Sequence, residues 1–422
     1  MGSLSDVTSE LTSEYRMNTP IPWKAWFGDE TFELSLPESW QVEVLRMDSD
    51  PLSQRQIAAR ITEPLDSRSL GEAAKDKERV AIAIDDIARP TPVHEFLPLV
   101  IEELKAAGLP EDAVRIFVAA GAHRTPVRGD VAKKIGEPLA RRLKILYHNP
   151  YDNLADLGQT SIGIPITINK SFLECDYRIS IGGITPHDFA GFGGGYKTVT
   201  VGLSGIEALH ETHIKRISEF NSGVARLEGN RFQNYIQEIG TRVGIDFAVN
   251  AVMTARRGIA DLYAGDPDAV FSAACSSARR HYATPTDGGY DVAILNAYPK
   301  DLDVTQSMMA LNVSFYGNES IVREGGTVVL TTPAIDGAVL HFLGGENMLG
   351  YVAPTIEMMK GRRLVVFSPG LNKHDVQVYF PPRTAAHQTW DTTREHLIEL
   401  HGQSCKACVV ECASMQLLKQ PE

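Results

Sequence analysis

Features that mark exported, membrane-bound and nucleic-acid-binding proteins are scarce in this chain of 422 residues. No apolar run approaches the roughly 20 residues that a membrane helix needs, and the first nineteen residues lack the apolar core of a signal peptide. Cysteine occurs only five times, without the spacing of a disulfide framework, which is typical of a reducing compartment. The net charge is −12, with no dense basic patch. We therefore expect a cytoplasmic protein that has neither a membrane nor a nucleic acid as its partner.

The composition is that of an ordinary globular protein, with 43% hydrophobic and 22% charged residues. Short apolar runs alternate with helical patterns from about residue 79 onward, which is typical of βαβ units and of parallel sheets covered on both faces. The predicted strands are Arg79–Ile84, Val114–Ala119, Leu143–Tyr147, Tyr177–Ile181, Phe247–Met253, Val292–Leu295, Thr327–Leu330 and Leu364–Phe367. The predicted fold is α/β, with two domains that each contain a mainly parallel sheet flanked by helices.

A turn-rich segment, Thr284 to Gly289, marks the predicted boundary between the domains. The first domain would span residues 1–285 and the second residues 286–422, with the tail from about residue 400 packing back on the first. The tail contains Cys405, Cys408 and Cys412, whose spacing is helical. We interpret them as cysteines buried on one helix face rather than as part of a metal site.

Three sharp-turning segments directly follow three of the early strands. They are Asp85 to Pro90, Gly121 to Pro126, and a glycine-rich loop from Gly182 to Lys197. Ligands of open α/β sheets collect at the carboxyl ends of the strands, so these turns are expected to share one site.

The glycine-rich loop is suited to cradling an anion, because glycines let several backbone N–H groups approach a ligand closely. The ATP-binding P-loop pattern fails here, since Tyr196 stands where a glycine should precede Lys197. No helix is predicted to begin at Thr198, where the P-loop would begin one, and Thr198 to Val201 is rich in β-forming residues. The dinucleotide-binding glycine pattern has no role for Lys197 either.

Two histidines, His123 and His187, each lie in one of these turns. A lone histidine in a turn is most often a surface residue, but two at neighbouring strand ends favour proton transfer near neutral pH. A pair on opposite sides of one carbon could act on both of its faces. Arg89 could bind a carboxylate through its planar guanidinium group or form an ion pair with Asp86, and the spacing favours neither.

A helix is predicted after the loop, with Ser204 and Glu207 as a capping box. His210 and His213 then lie three residues apart on one helical face. A zinc site would need a third ligand, for which His187 or Asp188 is available. A zinc-dependent hydrolase and a small-ligand-binding protein without catalytic activity therefore remain alternatives at this point.

The sequence resembles the nickel-pincer-dependent lactate racemases and related 2-hydroxyacid racemases and epimerases. The family shows an Asp-x-x-Arg-Pro turn, found here at Asp86 to Pro90, and a Gly-x-His-Arg turn, found at Gly121 to Arg124. It then shows a histidine, a lysine ten residues later and a histidine sixteen beyond that, as at His187, Lys197 and His213.

The resemblance implies a nickel-pincer nucleotide covalently attached to Lys197, with His213 as the protein ligand of the nickel. It implies His123 and His187 as the acid/base residues of a hydride-transfer reaction through a planar 2-keto acid. The cofactor would be built by other enzymes, and the active site would lie in the cleft between a cofactor-binding domain and a substrate-closing domain. The further residues assigned to the cofactor are Asp86, Ile87, Ala88, Arg89, Gly193, Gly194 and Gly195.

One departure from the family concerns the substrate, a small 2-hydroxy acid. Gln306 matches a family glutamine and would bind the substrate with Arg89, but Thr305 replaces a tyrosine and Met309 replaces a lysine. Loss of that lysine removes a cation from the expected carboxylate site. We therefore predict a substrate larger or more apolar than lactate, with lactate itself and a sugar acid as alternatives. The apolar surface for it would come from Met308, Met309 and Phe315.

Overall fold

The computed structural model describes residues 16–318, 320–339, 341–343 and 359–419. The strands are β1 (Arg16–Trp23), β2 (Glu30–Pro37), β3 (Gln41–Leu45), β4 (Val80–Asp85), β5 (Val114–Ala119), β6 (Lys144–Tyr147), β7 (Leu154–Gln159), β8 (Pro165–Asn169), β9 (Tyr177–Gly183), β10 (Pro186–His187), β11 (Gly191–Phe192), β12 (Phe247–Met253), β13 (Ile259–Gly265), β14 (Ala283–Pro285), β15 (Tyr290–Asn296), β16 (Val322–Thr331), β17 (Arg363–Phe367), β18 (Ala385–His387), β19 (Lys406–Val410) and β20 (Leu417–Lys419).

Helices connect most of the parallel strands. The α-helices are Gln54–Thr62, Leu70–Ala74, Leu97–Ala106, Arg128–Ile135, Glu137–Arg142, Lys170–Leu173, Lys197–Thr200, Ile206–His210, Arg231–Val243, Pro267–His281, Val304–Ser307, Lys373–Tyr379 and Trp390–His401. Short 3₁₀ segments are Val93–Glu95, Glu111–Ala113, Ile217–Glu219 and Met308–Asn318, and a π-helical turn spans Glu211–Lys215. None of the described helices is long and apolar enough to cross a membrane.

The first sheet has six strands in the order β13-β12-β9-β4-β5-β6. All neighbours are parallel except the edge strand β13, which pairs antiparallel with β12. Every residue of β4 is buried, because helices cover both faces of the sheet, and such strands are continuous apolar runs rather than alternating ones. This pattern is why the strands of the first sheet could be predicted from the sequence, apart from β13.

The second sheet also has six strands, all parallel, in the order β18-β17-β16-β15-β19-β3. The predicted strands of this half are confirmed, although β16 begins at Val322 rather than Thr327. One edge strand, β3, comes from the N-terminal part of the chain. The hairpin of β1 and β2 packs on the second sheet, with the ring centroids of Trp23 and Phe367 5.9 Å apart. A domain boundary at residue 285 stays a prediction, and residues 16–45 lie with the second sheet.

The predicted cysteine helix near the C-terminus is wrong. Cys408 lies in β19, an interior strand next to the edge strand β3, while Cys405 precedes β19 and Cys412 follows it. All three are buried free thiols. A buried parallel strand is apolar at every position, so cysteines at helical spacing could not distinguish it from a helix. The burial expected for these side chains is confirmed.

Each of the two six-stranded sheets contains one reversal of its strand order. In the first sheet the chain moves outward from β4 to β5 and β6, then returns to the other side of β4 with β9. In the second sheet the chain moves from β15 to β16 and β17, and β19 lies on the other side of β15. Ligands of open α/β sheets bind outside such reversal points. The turns after β4, β9 and β15 are therefore the expected ligand-binding turns.

Candidate active site

The three turns predicted to share one site line a single cavity at the carboxyl ends of β4, β5 and β9. Its wall includes Asp86 and Arg89 from the first turn, His123 from the second turn, and Lys197 at the end of the glycine-rich loop. An adjoining cavity shares Arg89 and His123 and extends to residues that follow β15. The site therefore lies between elements of the two sheets.

The turn after β4 is fixed by a buried ion pair. Lys134 Nζ lies 2.6 Å from Asp85 Oδ1 and donates to the carbonyl oxygen of Arg89 at 2.8 Å. The other carboxylate oxygen of Asp85 accepts hydrogen bonds from Thr91 Oγ1 and from the backbone N–H of Gly183. Asp85 thus joins the first turn to the glycine-rich loop, and Asp86 and Arg89 are held between these anchors.

Replacing Lys134 by methionine should lower the free energy of unfolding by about 3–5 kcal/mol, because it leaves the buried Asp85 carboxylate without its partner. Denaturant unfolding of the cofactor-free protein measures this change. Lys144→Met, at an exposed position, is the matched control and should change stability by less than about 0.5 kcal/mol. A loss below 1 kcal/mol for Lys134→Met would show that the pair does not hold the turn.

His123 is oriented as a proton acceptor. Its Nδ1 lies 2.9 Å from Asp86 Oδ2, and a carboxylate can only accept, so Nδ1 carries the hydrogen and Nε2 presents a lone pair. Asp86 is buried. Burial by itself would raise the pKa of Asp86, but His123, Arg89 and Lys134 outweigh it, and the pKa is lowered. Asp86 therefore stays ionised and can stabilise the imidazolium that forms when His123 takes a proton.

His187 has the opposite arrangement. It lies in the two-residue strand β10, which pairs with β11, and its Nδ1 accepts hydrogen bonds from the backbone N–H groups of Phe189 and Ala190 at 3.1 and 3.4 Å. An accepting Nδ1 leaves the hydrogen on Nε2. Burial and the Lys197 charge lower the pKa of His187 to about 3. Asp188 Oδ1, 3.0 Å from Nδ1, would stabilise the ring once Nδ1 is protonated.

The glycine-rich loop is held by side chains beneath it. Asn250 accepts from the backbone N–H of Gly195 at 3.2 Å, and Ser180 donates to the Gly195 carbonyl at 2.9 Å. Gly194 has a φ of +80°, and a Cβ there would lie 2.6 Å from Ile184 Cδ1. Gly193 differs, because a Cβ there would make only ordinary contacts, the shortest 3.4 Å. Gly193 lines the cavity, so its lack of a side chain keeps space for a ligand.

Lys197 begins a one-turn helix, Lys197–Thr200. The expectation that no helix begins here is wrong, because Thr198, Val199 and Thr200 are buried against the sheet and packing overrides their β propensity. Within the described chain, the Lys197 ammonium has no hydrogen-bond or ion-pair partner. Burial and the Arg89 charge lower the pKa of Lys197 to about 7, so a large fraction of it is a neutral, nucleophilic amine near neutral pH.

His213 lies in the π-helical turn Glu211–Lys215 and lines the cavity. Its Nδ1 lies 3.2 Å from the Leu209 carbonyl, so Nδ1–H donates and the Nε2 lone pair is available. The ring is flanked by Phe189 and Phe232, with ring centroids 5.5 and 5.4 Å away. Burial and the Lys197 charge lower its pKa to about 3. A neutral imidazole with its other nitrogen fixed is a good metal ligand.

The predicted helix after the loop differs from expectation in two ways. It begins after Gly205, without a side-chain cap, so the Ser204–Glu207 capping box is wrong. Ser204 is buried, and its carbonyl accepts from His148 Nε2 at 2.8 Å. His210 is exposed while His213 is buried, because the α-helix changes to a π-helical turn between them. No cluster of three His, Cys, Asp or Glu side chains suited to a metal occurs in the described ranges, and the paired-histidine zinc site is not formed.

Residues after β15 form the far wall of the site. Gln306 and Met309 line the adjoining cavity, and Gln306 Oε1 accepts from Arg89 Nη1 at 2.5 Å. The open choice for Arg89 is thus decided against an Asp86 ion pair, since Arg89 bonds Gln306 and approaches His123 Nε2 at 3.5 Å. Met308 packs in the core of the second sheet instead. The side chain of Phe315 lies outside the described part of the chain.

Some predicted cofactor residues do not reach the cavity. Ile87 and Ala88 are buried in a hydrophobic cluster with Trp26 and Ile184, and their side chains anchor the turn. Gly195 faces the ring of Phe271, 2.6 Å from where its Cβ would be. These residues shape the turn and the loop from behind.

Two residues of the site were missed from the sequence. Lys300 and His341 both line the adjoining cavity. Lys300 follows β15 as Arg89 follows β4, and this equivalence could have singled it out. His341 lies in a segment that returns to the first sheet, where Phe342 N–H donates to the Ala122 carbonyl at 2.8 Å. No sequence signal indicated that contact.

The chain is similar in sequence to known lactate racemases. Residues 27–225 match the family model of the lactate racemase N-terminal domain. The chain is 28% identical to a lactate racemase of Lactiplantibacillus plantarum over 301 residues, which cover 70% of this chain and 68% of the relative. It is 26% identical to a lactate racemase of Thermoanaerobacterium thermosaccharolyticum over 345 residues, which cover 78% and 76% of the two chains.

Solved structures show the same fold. The lactate racemase apoprotein of Thermoanaerobacterium thermosaccharolyticum superposes with a TM-score of 0.77 at 20% identity, covering 96% of this chain and all of that one. A Thermotoga maritima protein superposes with a TM-score of 0.70 at 16% identity, covering 89% and 100%. The chain is similar to the lactate racemase family in its N-terminal half and shares the fold of a lactate racemase apoprotein. It is therefore an isomerase of the racemase and epimerase type that acts on hydroxy acids, and this family uses a nickel cofactor.

Proposed function

We propose that the protein is a 2-hydroxyacid racemase or epimerase that acts by reversible hydride transfer at C2. One observation carries the proposal: two oppositely arranged histidines, the buried amine of Lys197 and a neutral His213 line the same cavity. A racemase needs a proton acceptor and a proton donor for the two faces of one carbon. Five free cysteines support the cytoplasm as the proposed location.

The residues present fit a nickel-pincer nucleotide. Lys197 would hold it covalently, His213 Nε2 would bind the nickel, and Gly193 leaves space beside them. Asp86 Oδ1 is a buried acceptor without a hydrogen-bond partner in the described chain, and it suits a hydroxyl group of such a ligand. When bound, this cofactor supplies the group that takes up and returns the C2 hydride.

The histidines would handle the hydroxyl proton. As the C2 hydrogen leaves as a hydride, the hydroxyl group must lose its proton to give a planar 2-keto acid. His123 Nε2 has the lone pair to take that proton, and Asp86 stabilises the resulting imidazolium. When the hydride returns to the opposite face, His187 would give a proton from Nε2 to the carbonyl oxygen as an imidazolium, with its protonated Nδ1 beside Asp188, and would end as the neutral ring. The reverse direction exchanges the two roles, and Asp188 would then stabilise protonated His187.

The residues that follow β15 and line the adjoining cavity suggest which substrate the protein prefers. We propose a substrate larger than lactate, because Met309 presents an apolar side chain to the cavity that a longer substrate side chain could contact. Apolar contact contributes about 0.8 kcal/mol per buried CH₂. Among the described residues that line the adjoining cavity, Met309 is the one aliphatic side chain, and the others include Asp188, Thr305 and Gln306. This polar lining favours a second candidate, a 2-hydroxy acid with further hydroxyl groups, such as a sugar acid.

The proposal is tested with protein produced alongside the cofactor-building enzymes. Single enantiomers of lactate, 2-hydroxybutyrate, longer aliphatic or aromatic 2-hydroxy acids and sugar acids are incubated and analysed by chiral chromatography. We expect kcat/KM for lactate to be below that for at least one larger acid. Lactate as the best substrate would contradict the size argument. Absence of isomerisation across the panel, with nickel and cofactor present, would contradict the proposed function.

A further inference from the structure

We propose that Lys300 binds the substrate carboxylate and replaces the cation that is absent at Met309. This inference rests on the proposed function and deepens it. Lys300 is 2% exposed and lies in the turn after β15. It lines the cavity that also contains Arg89, His123 and His187. A cation at this position faces the two histidines from the second sheet.

The hydrogen bonding of Lys300 leaves capacity for a ligand. Its Nζ donates to the Pro186 carbonyl at 3.2 Å, and an ammonium group has three donors. Within the described residues no other hydrogen bond of this group is found. Pro186 directly precedes His187, so the same contact holds the ammonium beside the proposed acid/base residue. A carboxylate on C1 of a 2-hydroxy acid could then reach Lys300 while its C2 hydroxyl group meets a histidine.

The charges around the cavity also favour an anionic ligand. Neither Lys300 nor Arg89 forms an ion pair with a carboxylate in the described part of the chain. The nearby carboxylates have other partners, since Asp86 lies 2.9 Å from His123 and Asp188 Oδ1 accepts from the backbone N–H of Phe189 at 3.1 Å. A buried cation without a counter-ion is unfavourable, and a substrate carboxylate would relieve this. Burial, followed by the Arg89 charge, lowers the pKa of Lys300 to about 7, and the Asp188 carboxylate offsets only part of this.

The alternative is that Lys300 only joins the second sheet to Pro186. Lys300→Gln separates the two roles, because glutamine can still donate to the Pro186 carbonyl but carries no charge. In the loaded enzyme, Lys300→Gln should raise KM for 2-hydroxybutyrate by about 10- to 100-fold, the loss of one charge-assisted hydrogen bond. Inhibition by the uncharged 2-hydroxybutyramide should change by less than about threefold.

A lysine placed at position 309 should restore the activity that Lys300→Gln loses. Met309 lines the same cavity, so adding Met309→Lys to Lys300→Gln should restore at least a tenth of the wild-type kcat/KM. A purely structural role would not be rescued in this way. Lys215→Gln is the control, because Lys215 is exposed and paired with Glu211 at 2.6 Å, and its KM should equal that of wild type.

The outcomes distinguish this inference from the proposed function. Intact mass and nickel content should be the same in wild type and Lys300→Gln. If wild type isomerises 2-hydroxybutyrate and Lys300→Gln has an unchanged KM, Lys300 is not the carboxylate ligand. An equal loss for the acid and the amide would also overturn the proposal. If the glutamine variant does not fold, Lys300→Arg must keep KM within about tenfold of wild type, and a larger loss there would count against it. No isomerisation by loaded wild type would instead refute the proposed function.

Discussion

Replacing Lys197 by alanine should abolish the covalent cofactor adduct and, with it, all racemase activity. The reason is that Lys197 provides a nucleophilic amine in the main cavity. Burial and the Arg89 charge bring its pKa to about 7, so the neutral amine is well populated at the pH of the cell. Intact-mass measurement of protein made with the cofactor-building enzymes detects the adduct directly, without reference to any substrate.

The control for this experiment is Lys215→Ala, which removes an exposed lysine near His213 and should leave the adduct mass unchanged. Lys197→Arg is a useful companion, because it keeps the positive charge but cannot form the bond. An adduct of unchanged mass in Lys197→Ala would place the attachment elsewhere. His213→Ala should keep the adduct but lose most of the nickel, as measured by elemental analysis, since a single imidazole ligand is removed.

Alanine at His123 or at His187 should reduce racemisation in both directions by about 10²–10⁴-fold, the usual contribution of one general acid or base. Each turnover needs one histidine to take the hydroxyl proton and the other to return it, so neither variant can retain one direction alone. Initial rates starting from each enantiomer provide the measurement, with adduct mass and nickel content as checks that the cofactor is loaded.

The variant Asp86→Asn is an independent test of the acid/base role predicted for His123. An asparagine can donate to Nδ1 of His123, which would favour the ring form with hydrogen on Nε2 and remove the lone pair facing the cavity. We expect a loss of similar size to His123→Ala. His210→Ala, at an exposed position, is the matched histidine control and should keep wild-type rates. Full activity of His123→Ala in both directions would make His123 a structural residue.

The sequence could predict the parts of the site that follow strands of the first sheet. Asp86, His123 and His187 each come directly after an apolar run, and parallel strands bring such turns to one edge. His213 and Lys197 depended on the resemblance, because one helix turn or one capping pattern does not reveal where a side chain points. The capping box failed for this reason, since Ser204 is buried instead of capping the helix.

The far wall of the site could be predicted only in part. Gln306 was found through its family spacing. Lys300 was missed, although its position after β15 corresponds to that of Arg89 after β4. His341 reaches the cavity because residues 341–343 pair with the turn after β5, a contact across more than two hundred positions of sequence. The β3 strand in the second sheet is a similar case. Long-range pairing depends on side-chain packing over the whole core, which local periodicity does not record.

The two reversal points of the sheets divide the site between separate stretches of chain. Groups proposed to hold the cofactor follow strands of the first sheet, whereas Lys300, Thr305, Gln306 and Met309 all lie within one stretch after β15. We therefore expect substrate preference to depend mainly on residues 300–309, none of which is proposed to bond covalently to the cofactor. A transplant of residues 297–309 from a relative with a different substrate should transfer selectivity while the attachment chemistry at Lys197 continues unchanged.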